Sequence, residues 1–170
     1  MHRSLACLTL AAALGTAACG PTGMTGPTMN NKMGSSANTA TATATVETTE
    51  ILDREPRANR TQVKHILISW RDKAAAFGGG ADERALERDK RAAERQVRQL
   101  VKQLGAGADF DALMTLHSED RGSAEQAEAY EVTPDARLVI EFRQLGLRLD
   151  VGEIGVVETD FGFHIIKRIE

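Results

Sequence analysis

Two short segments, far apart in the chain, each carry one histidine within a run of β-branched and large apolar residues. The first is Val63–Ser69, which contains His65, and the second is Thr159–Lys167, which contains His164. Apolar side chains occupy both alternating positions of each run, a pattern that predicts strands covered on both faces. A histidine in such a strand loses its solvent and needs a hydrogen-bond partner. If the two strands lie side by side, the imidazoles meet and help to satisfy each other, so the pair is a candidate site.

The N-terminus has the pattern of a bacterial secretion signal. A basic start is followed by an apolar stretch over Leu5–Leu14 and then by Thr16-Ala17-Ala18-Cys19, which resembles the lipidation motif of bacterial lipoproteins. We therefore expect residues 1–18 to be a signal peptide and Cys19 to be lipidated. The alternative is ordinary secretion with a free Cys19. Gly20 follows the cysteine, and in lipoproteins this residue points toward the outer membrane of the cell envelope.

The two cysteines and the charge exclude several classes of function. Cys7 lies in the predicted signal peptide and Cys19 is the predicted lipidation site, so the remaining chain has no thiol for a disulfide, a nucleophile or a metal site. The net charge of -3 gives no reason to expect a nucleic-acid partner. We expect neither a metal nor another cofactor.

A low-complexity segment separates the predicted anchor from the predicted folded part. Residues 19–60 are rich in Thr, Ala and Gly, and the run Asn38–Thr45 offers no packing face. We predict a flexible tether here, with an r.m.s. reach of about 35 Å for some 40 residues. The folded domain is then predicted over residues 61–170.

The spacing of apolar residues in the domain predicts an α+β fold. After the His65 strand, Asp82 is expected to cap a long helix that ends near Leu104 and has Leu86 on its inner face, and Asp109 is expected to cap a short second helix. A third helix is expected from near Pro134, and a hairpin closes the chain. The order β-α-α-β-α-β-β predicts a small antiparallel sheet of about four strands flanked by helices.

This order and five sequence segments resemble the parvulin family of peptidyl-prolyl cis/trans isomerases. The segments are the His65 strand, Gly107–Leu113, His117–Ala124, Val151–Ile154 and Phe161–Ile166. Each is weak alone, but the chain carries all five in the order of the family. The resemblance implies that the domain rotates X–Pro bonds in an apolar pocket without forming a covalent bond.

The resemblance also implies roles for individual residues. It places a polar catalytic group at His65, Asp120 and His164, and a substrate-binding group at Tyr130, Leu138, Phe142 and Phe161. Other interpretations stay open from the residues alone. The two histidines could be structural, Asp120 could cap a turn, and Leu138 and Phe142 could be ordinary core residues.

One segment departs from the family pattern. Where parvulins carry a glycine-rich turn, this chain reads Glu128–Ala136 without glycine, so any backbone conformation with positive φ becomes costly there.

The leading hypothesis is an envelope isomerase that helps secreted or outer-membrane proteins to fold. The alternatives are a holdase that binds unfolded polypeptide without catalysis and a structural lipoprotein.

Overall fold

The computed structural model describes residues 45–170. The elements in chain order are α1 (Thr49–Leu52), β1 (Thr61–Ile68), a 3₁₀ helix (Arg71–Phe77), α2 (Glu83–Glu87), α3 (Lys90–Gly105), α4 (Phe110–His117), α5 (Arg121–Gln126), β2 (Tyr130–Val132), α6 (Ile140–Gly146), β3 (Ile154–Thr159) and β4 (Gly162–Arg168). No helix within this described part is long and apolar enough to cross a bilayer. The predicted signal peptide, Cys19 and most of the predicted tether lie outside the described residues.

The four strands form one antiparallel sheet in the order β2-β1-β4-β3. The predicted α+β class and four-strand sheet are confirmed. The two strands with histidines, β1 and β4, are central neighbours. β2 is short and pairs only with Thr61–Val63. The rest of this edge of β1 therefore needs other hydrogen-bond partners.

Both faces of the sheet are covered, as the mixed apolar pattern of the strands predicts. One face packs on α3 and α4 around Ile66, Ile68 and Phe163. The other face packs on α6, where Val63 and Ile166 contact Phe142 and Leu145. His65 and His164 belong to this second face.

The predicted long helix is wrong in its continuity, because two helices occupy that range. Asp82 caps α2 by accepting a hydrogen bond from the Arg84 amide, as expected. Arg88 is then extended, and Asp89 caps α3 by accepting from the Ala92 amide at 2.7 Å. Two good N-caps within seven residues favour two helix starts over one. Leu86, which was predicted to lie inward, is 45% exposed.

The last predicted helix also begins later than expected. α6 begins at Ile140, so Leu138 and Val139 precede the helix, and Val139 is extended. The segment before β2 forms α5, which the sequence did not predict, and it ends at Ala127 with φ of 50°. A left-handed alanine costs roughly 1–2 kcal/mol relative to the right-handed conformation. Within residues 128–136 no backbone has a positive φ, so β2 forms there without glycine, and the strained residue is Ala127 just before this segment.

The folded part begins before residue 61, which corrects the predicted end of the tether. Thr48 pairs with the outer edge of β3, since its amide donates to the Val156 carbonyl at 3.0 Å and its Oγ1 accepts from the Val156 amide at 2.9 Å. Ile51 is buried against the α6 cluster. These contacts cover an edge strand that would otherwise be open to other chains.

Candidate active site

His65 lies on the α6 face of β1, where its ring is surrounded by other rings. The exposed fraction of this residue is 5%. Its ring centroid is 5.1 Å from Phe142 in an edge-to-face contact, 5.2 Å from Tyr130 and 5.2 Å from His164. The predicted meeting of the two histidines is therefore confirmed in position.

The two imidazoles do not satisfy each other, which corrects the expected hydrogen bond. In the sheet register His65 is opposite Ile166 and His164 is opposite Leu67, so the histidines are diagonal neighbours. Diagonal side chains lie farther apart than directly opposed ones. Each ring instead has its own partner: His65 Nε2 lies 3.2 Å from Asp120 Oδ2, and His164 Nε2 lies 2.9 Å from Thr159 Oγ1.

Asp120 accepts from three side chains at one oxygen. Besides His65, its Oδ2 accepts from the Ser123 hydroxyl at 2.7 Å and the Tyr130 hydroxyl at 3.1 Å. The hydrogen bond from His65 is the main reason that the pKa of Asp120 lies well below its usual range, and Ser123 and Tyr130 act in the same direction. The carboxylate is ionised and fixes the orientation of His65.

The two residues before Asp120 take the place of a strand beside β1. Leu67 donates its amide to Ser118 Oγ at 3.2 Å and accepts from the Glu119 amide at 2.9 Å. The Ser69 amide donates to Glu119 Oε2 at 2.7 Å. These bonds satisfy the edge of β1 that short β2 leaves uncovered, and they place Asp120 over His65.

Glu119 anchors this segment through a buried ion pair. Its side chain is 1% exposed and pairs with Arg88, whose guanidinium also donates to Gln96 at 2.8 Å. Burial raises the pKa of Glu119 above its usual range, and the bonds from Ser69 and Arg88 oppose that shift. Removing one member of such a pair leaves the other charge buried and alone.

His164 is also a buried polar group of the site. Burial, together with the neighbouring His65, lowers the pKa of His164 well below its usual value. Its Nδ1 is buried, and no group within residues 45–170 forms a hydrogen bond with it. Thr159, the partner of Nε2, also accepts from the Phe161 amide at 3.1 Å. One threonine therefore orients both the imidazole and the aromatic residue at the rim.

The end of β1 approaches the β3–β4 turn so closely that only glycine fits at position 162. The residue has φ of 139°, and a Cβ there would lie 2.6 Å from the Ile68 carbonyl oxygen. This close approach brings the turn, and with it Phe161, to the side of His65.

A cavity of about 340 Å³ opens between the sheet, α6 and the loops. All seven residues predicted for the site line it: His65, Asp120, Tyr130, Leu138, Phe142, Phe161 and His164. Four further lining residues were missed: Leu67, Phe77, Arg137 and Val139. Leu67 follows His65 by two positions on the same strand face, so strand periodicity could have identified it. The other three missed residues lie outside the strands, where strand periodicity gives no information.

The arrangement can bind a small apolar ring beside a polar group. Phe77 contacts Phe161 edge to face at 5.4 Å, and Phe142 closes the floor against both histidines. Apolar walls with a few convergent polar groups are typical of ligand sites. Within residues 45–170, no group of three or more His, Cys, Asp or Glu residues is arranged to hold a metal ion.

Comparisons with known proteins show similarity over the described part of the chain. The model of the PPIC-type PPIASE domain family matches residues 46–170. Foldase protein PrsA 3 of Bacillus cereus is 35% identical over 75 residues, which are 44% of this chain and 26% of that protein. Chaperone SurA of Nitrosococcus oceani is 29% identical over 112 residues, 65% of this chain and 23% of that protein. This chain spans about a quarter of the length of these two relatives.

Solved structures show the same fold. Peptidyl-prolyl isomerase ESS1 from Candida albicans superposes with a TM-score of 0.55 at 18% identity, covering 66% of this chain and 63% of that one. At this identity the likeness concerns the fold alone.

We expect the pKa of the His164 imidazole to lie below its usual value in the folded protein, because the ring is buried. Since its folded-state pKa lies below that of the unfolded chain, the unfolded state binds more protons between the two values. The free energy of unfolding therefore falls as the pH drops below about 6.5, by at most about 1.4 kcal/mol per pH unit for this group. NMR titration of the imidazole and urea unfolding at several pH values measure both effects.

Two variants separate this effect from other titrations. His164→Gln removes the group and should flatten the pH dependence between pH 5 and 6.5. His117→Gln removes a second histidine whose pKa is lowered by partial burial, so it measures how much of the pH dependence comes from that group rather than from His164. Titration of His164 near its usual value would contradict its burial as a neutral group.

Proposed function

The chain belongs to the PPIC-type peptidyl-prolyl isomerase family, and on that premise we propose that its cavity catalyses cis/trans rotation of X–Pro bonds in polypeptides. The observation that carries the proposal is the shared cavity. It brings the polar residues His65, Asp120 and His164 together with the apolar and aromatic residues that the resemblance assigns to proline binding.

The reaction rotates one bond and neither forms nor breaks a covalent bond. Rotation about an X–Pro bond has a barrier of about 20 kcal/mol, because the planar amide loses resonance as it twists. An acceleration of about 10³ to 10⁶ requires some 4–8 kcal/mol of preferential binding to the twisted state. Leu138, Phe142 and Phe161 hold the proline ring while the carbonyl side turns. The twisted amide is less polar than the planar one, so an apolar cavity favours it.

The polar residues orient the site and shape its electrostatics. Asp120 holds His65 through Nε2, and Thr159 holds His164 through Nε2. No proton needs to move in the reaction, so we assign neither histidine as a general base.

A second candidate is a holdase that binds unfolded segments without catalysis. Two features next to the site favour it, the strained Ala127 and the three-residue β2. Fewer strand hydrogen bonds hold the Tyr130 side of the cavity than a longer strand would provide. Tyr130 itself reaches Asp120, which supports the catalytic arrangement. Direct assay decides between the two.

The proposed substrates are proline-containing or unfolded polypeptides in the bacterial cell envelope. The names of the relatives, a foldase and a chaperone, support polypeptide clients. The signal pattern over residues 1–18 and the motif at Cys19 support export and lipid anchoring, with Gly20 favouring the outer membrane. We propose secreted or outer-membrane proteins as clients, and neither a cofactor nor a nucleic-acid partner.

Removal of the Phe142 ring should lower kcat/KM in protein that is still folded. We expect Phe142→Ala to lower kcat/KM on proline tetrapeptides at least about tenfold, because the ring forms the cavity floor. Phe110→Ala is the matched control, since Phe110 is equally buried but packs on the opposite sheet face. Both changes cost roughly 3–5 kcal/mol of stability, so thermal melts accompany the assay, and Phe142→Leu provides a milder truncation.

The outcomes distinguish the two functions. Equal activity losses in folded Phe142→Ala and Phe110→Ala would contradict the assigned role of Phe142. A wild-type protein that suppresses aggregation of unfolded clients but isomerises no tetrapeptide would establish the holdase instead.

Lipid anchoring should depend on Cys19 alone. Cys19→Ser removes the only side chain that the motif offers for acylation, so we expect the protein to move from the membrane fraction to the soluble envelope fraction. Cell fractionation measures this shift. Continued membrane association of the variant would rule out the lipoprotein assignment.

A further inference from the structure

Tyr130 lines the cavity of the site and also a second cavity of about 270 Å³. The second cavity is formed by α5, β2 and the turn between them. Its lining residues are Gly122, Gln126, Glu128, Ala129, Tyr130 and Glu131. Among the residues of the described chain, 45–170, only Tyr130 lines both cavities. Its side chain therefore forms a partition between them.

The ring and the hydroxyl group of Tyr130 contact the two cavities separately. The ring centroid is 5.2 Å from that of His65 and 6.4 Å from that of Phe142, and both of these residues line the first cavity. The hydroxyl group lies beside Gly122 of the second cavity, where a Cβ would be 3.6 Å from the hydroxyl oxygen. A smaller side chain at position 130 would thus join the two cavities.

The partition is held at both ends of the side chain. The backbone of Tyr130 pairs with Val63 in the short β2 ladder. Its hydroxyl group donates to Asp120 Oδ2 at 3.1 Å, and Ser123 and His65 hold the same carboxylate. Burial raises the pKa of Tyr130, and the charge of Asp120 acts in the same direction, so the hydroxyl group keeps its proton at neutral pH. The ring is therefore fixed across the end of the first cavity.

Small residues keep the second cavity open. Gly122 and Ala129 add little or no side chain to its lining, and Glu131 forms an ion pair with Arg60. The backbone of Gly122 has no positive φ, so its conformation does not require glycine. An added Cβ would meet its nearest neighbours at ordinary van der Waals distance. What glycine provides at this position is space behind the Tyr130 hydroxyl group.

We infer that Tyr130 limits the size of the side chain that this site accepts beside the proline, because its ring closes the first cavity in front of the second. The inference rests on the proposed function, in which Leu138, Phe142 and Phe161 hold the proline ring. The Tyr130 side of the cavity is then left for a neighbouring residue. A fixed wall rejects a group that is too large, since overpacking forces side chains out of their preferred rotamers.

The test compares tetrapeptides that differ only beside the proline. Ala, Leu, Phe and Trp are placed before the proline in one series and after it in another. A misfit of one methylene in an apolar pocket changes kcat/KM by about tenfold or more, so we expect wild-type kcat/KM for Trp to lie at least about tenfold below that for Leu in one series. In Tyr130→Ala the Trp-to-Leu ratio should rise at least about tenfold in that series.

Two further variants separate the ring from its hydroxyl group. Tyr130→Phe keeps the ring but loses the bond to Asp120, so the Trp-to-Leu ratio should stay within about threefold of the wild-type ratio even if overall turnover falls. Gly122→Leu, added to Tyr130→Ala, fills the joined space from the second cavity and should restore the low ratio. A purely polar role of Tyr130 would instead give the same ratio in Tyr130→Phe and Tyr130→Ala.

A control on the same strand accounts for general weakening of β2. Val132→Ala truncates a fully buried side chain two residues after Tyr130, outside the lining of both cavities, and it should keep the wild-type ratio. Thermal melts verify that each variant is folded. If Tyr130→Ala does not fold, Tyr130→Leu retains an apolar side chain and should show a smaller rise in the same direction.

NMR titration with the same peptides separates this inference from the proposed function. If no peptide is isomerised, the proposed catalysis fails, and the binding affinities alone then decide the size limit. A wild-type protein that treats Leu and Trp alike in both series, by turnover and by binding, overturns the inference. An unchanged ratio in folded Tyr130→Ala overturns it as well, and so does a rise that Gly122→Leu does not reverse.

Discussion

The buried ion pair between Glu119 and Arg88 is the interaction on which the site depends. β2 pairs with only three residues of β1, so the edge of β1 near Leu67 and Ser69 would have unsatisfied amides without another partner. The segment at Ser118 and Glu119 supplies that partner. Because Asp120 follows directly in the chain, the bonds that complete the sheet also set the carboxylate that orients His65.

Single residues also position the remaining parts of the cavity. Thr159 binds both His164 and the amide of Phe161, and Gly162 allows the turn to approach β1. Two features near this site are locally unfavourable: His164 Nδ1 is buried without a partner in the described part of the chain, and Ala127 is left-handed. Such costs persist where surrounding structure holds the residues in place, and they often mark functional regions.

The sequence predicted the sheet well, because the two short runs with apolar residues on both strand faces identify its two central strands. It also located all seven proposed site residues, through the order of motifs shared with the parvulin family. It failed where two local signals competed, as at Asp82 and Asp89, which both cap helices. It failed again at residues 45–60, because Thr48 and Ile51 gain stability only from contacts with distant β3 and α6.

Hydrogen-bond partners in the site were beyond sequence reasoning for a geometric reason. The proximity of His65 and His164 follows from neighbouring strands, but their diagonal register does not, and it decides that each ring bonds elsewhere. Ser123 and Thr159 carry no pattern that distinguishes them from surface hydroxyls. Phe77 reaches the cavity from the end of the 3₁₀ helix and Arg137 from a loop, and the positions of both depend on tertiary contacts rather than on periodicity.

The most direct test of this account is the NMR spectrum of the Glu119→Gln variant, with Glu125→Gln at an exposed position of α5 as control. Glutamine keeps an acceptor for Ser69 but leaves the Arg88 charge unpaired, which weakens the segment locally. The account predicts faster amide exchange at Leu67 and Glu119 positions and shifted imidazole ¹⁵N signals of His65, with neither change in the control. Unchanged exchange and unchanged His65 signals in Glu119→Gln would contradict it.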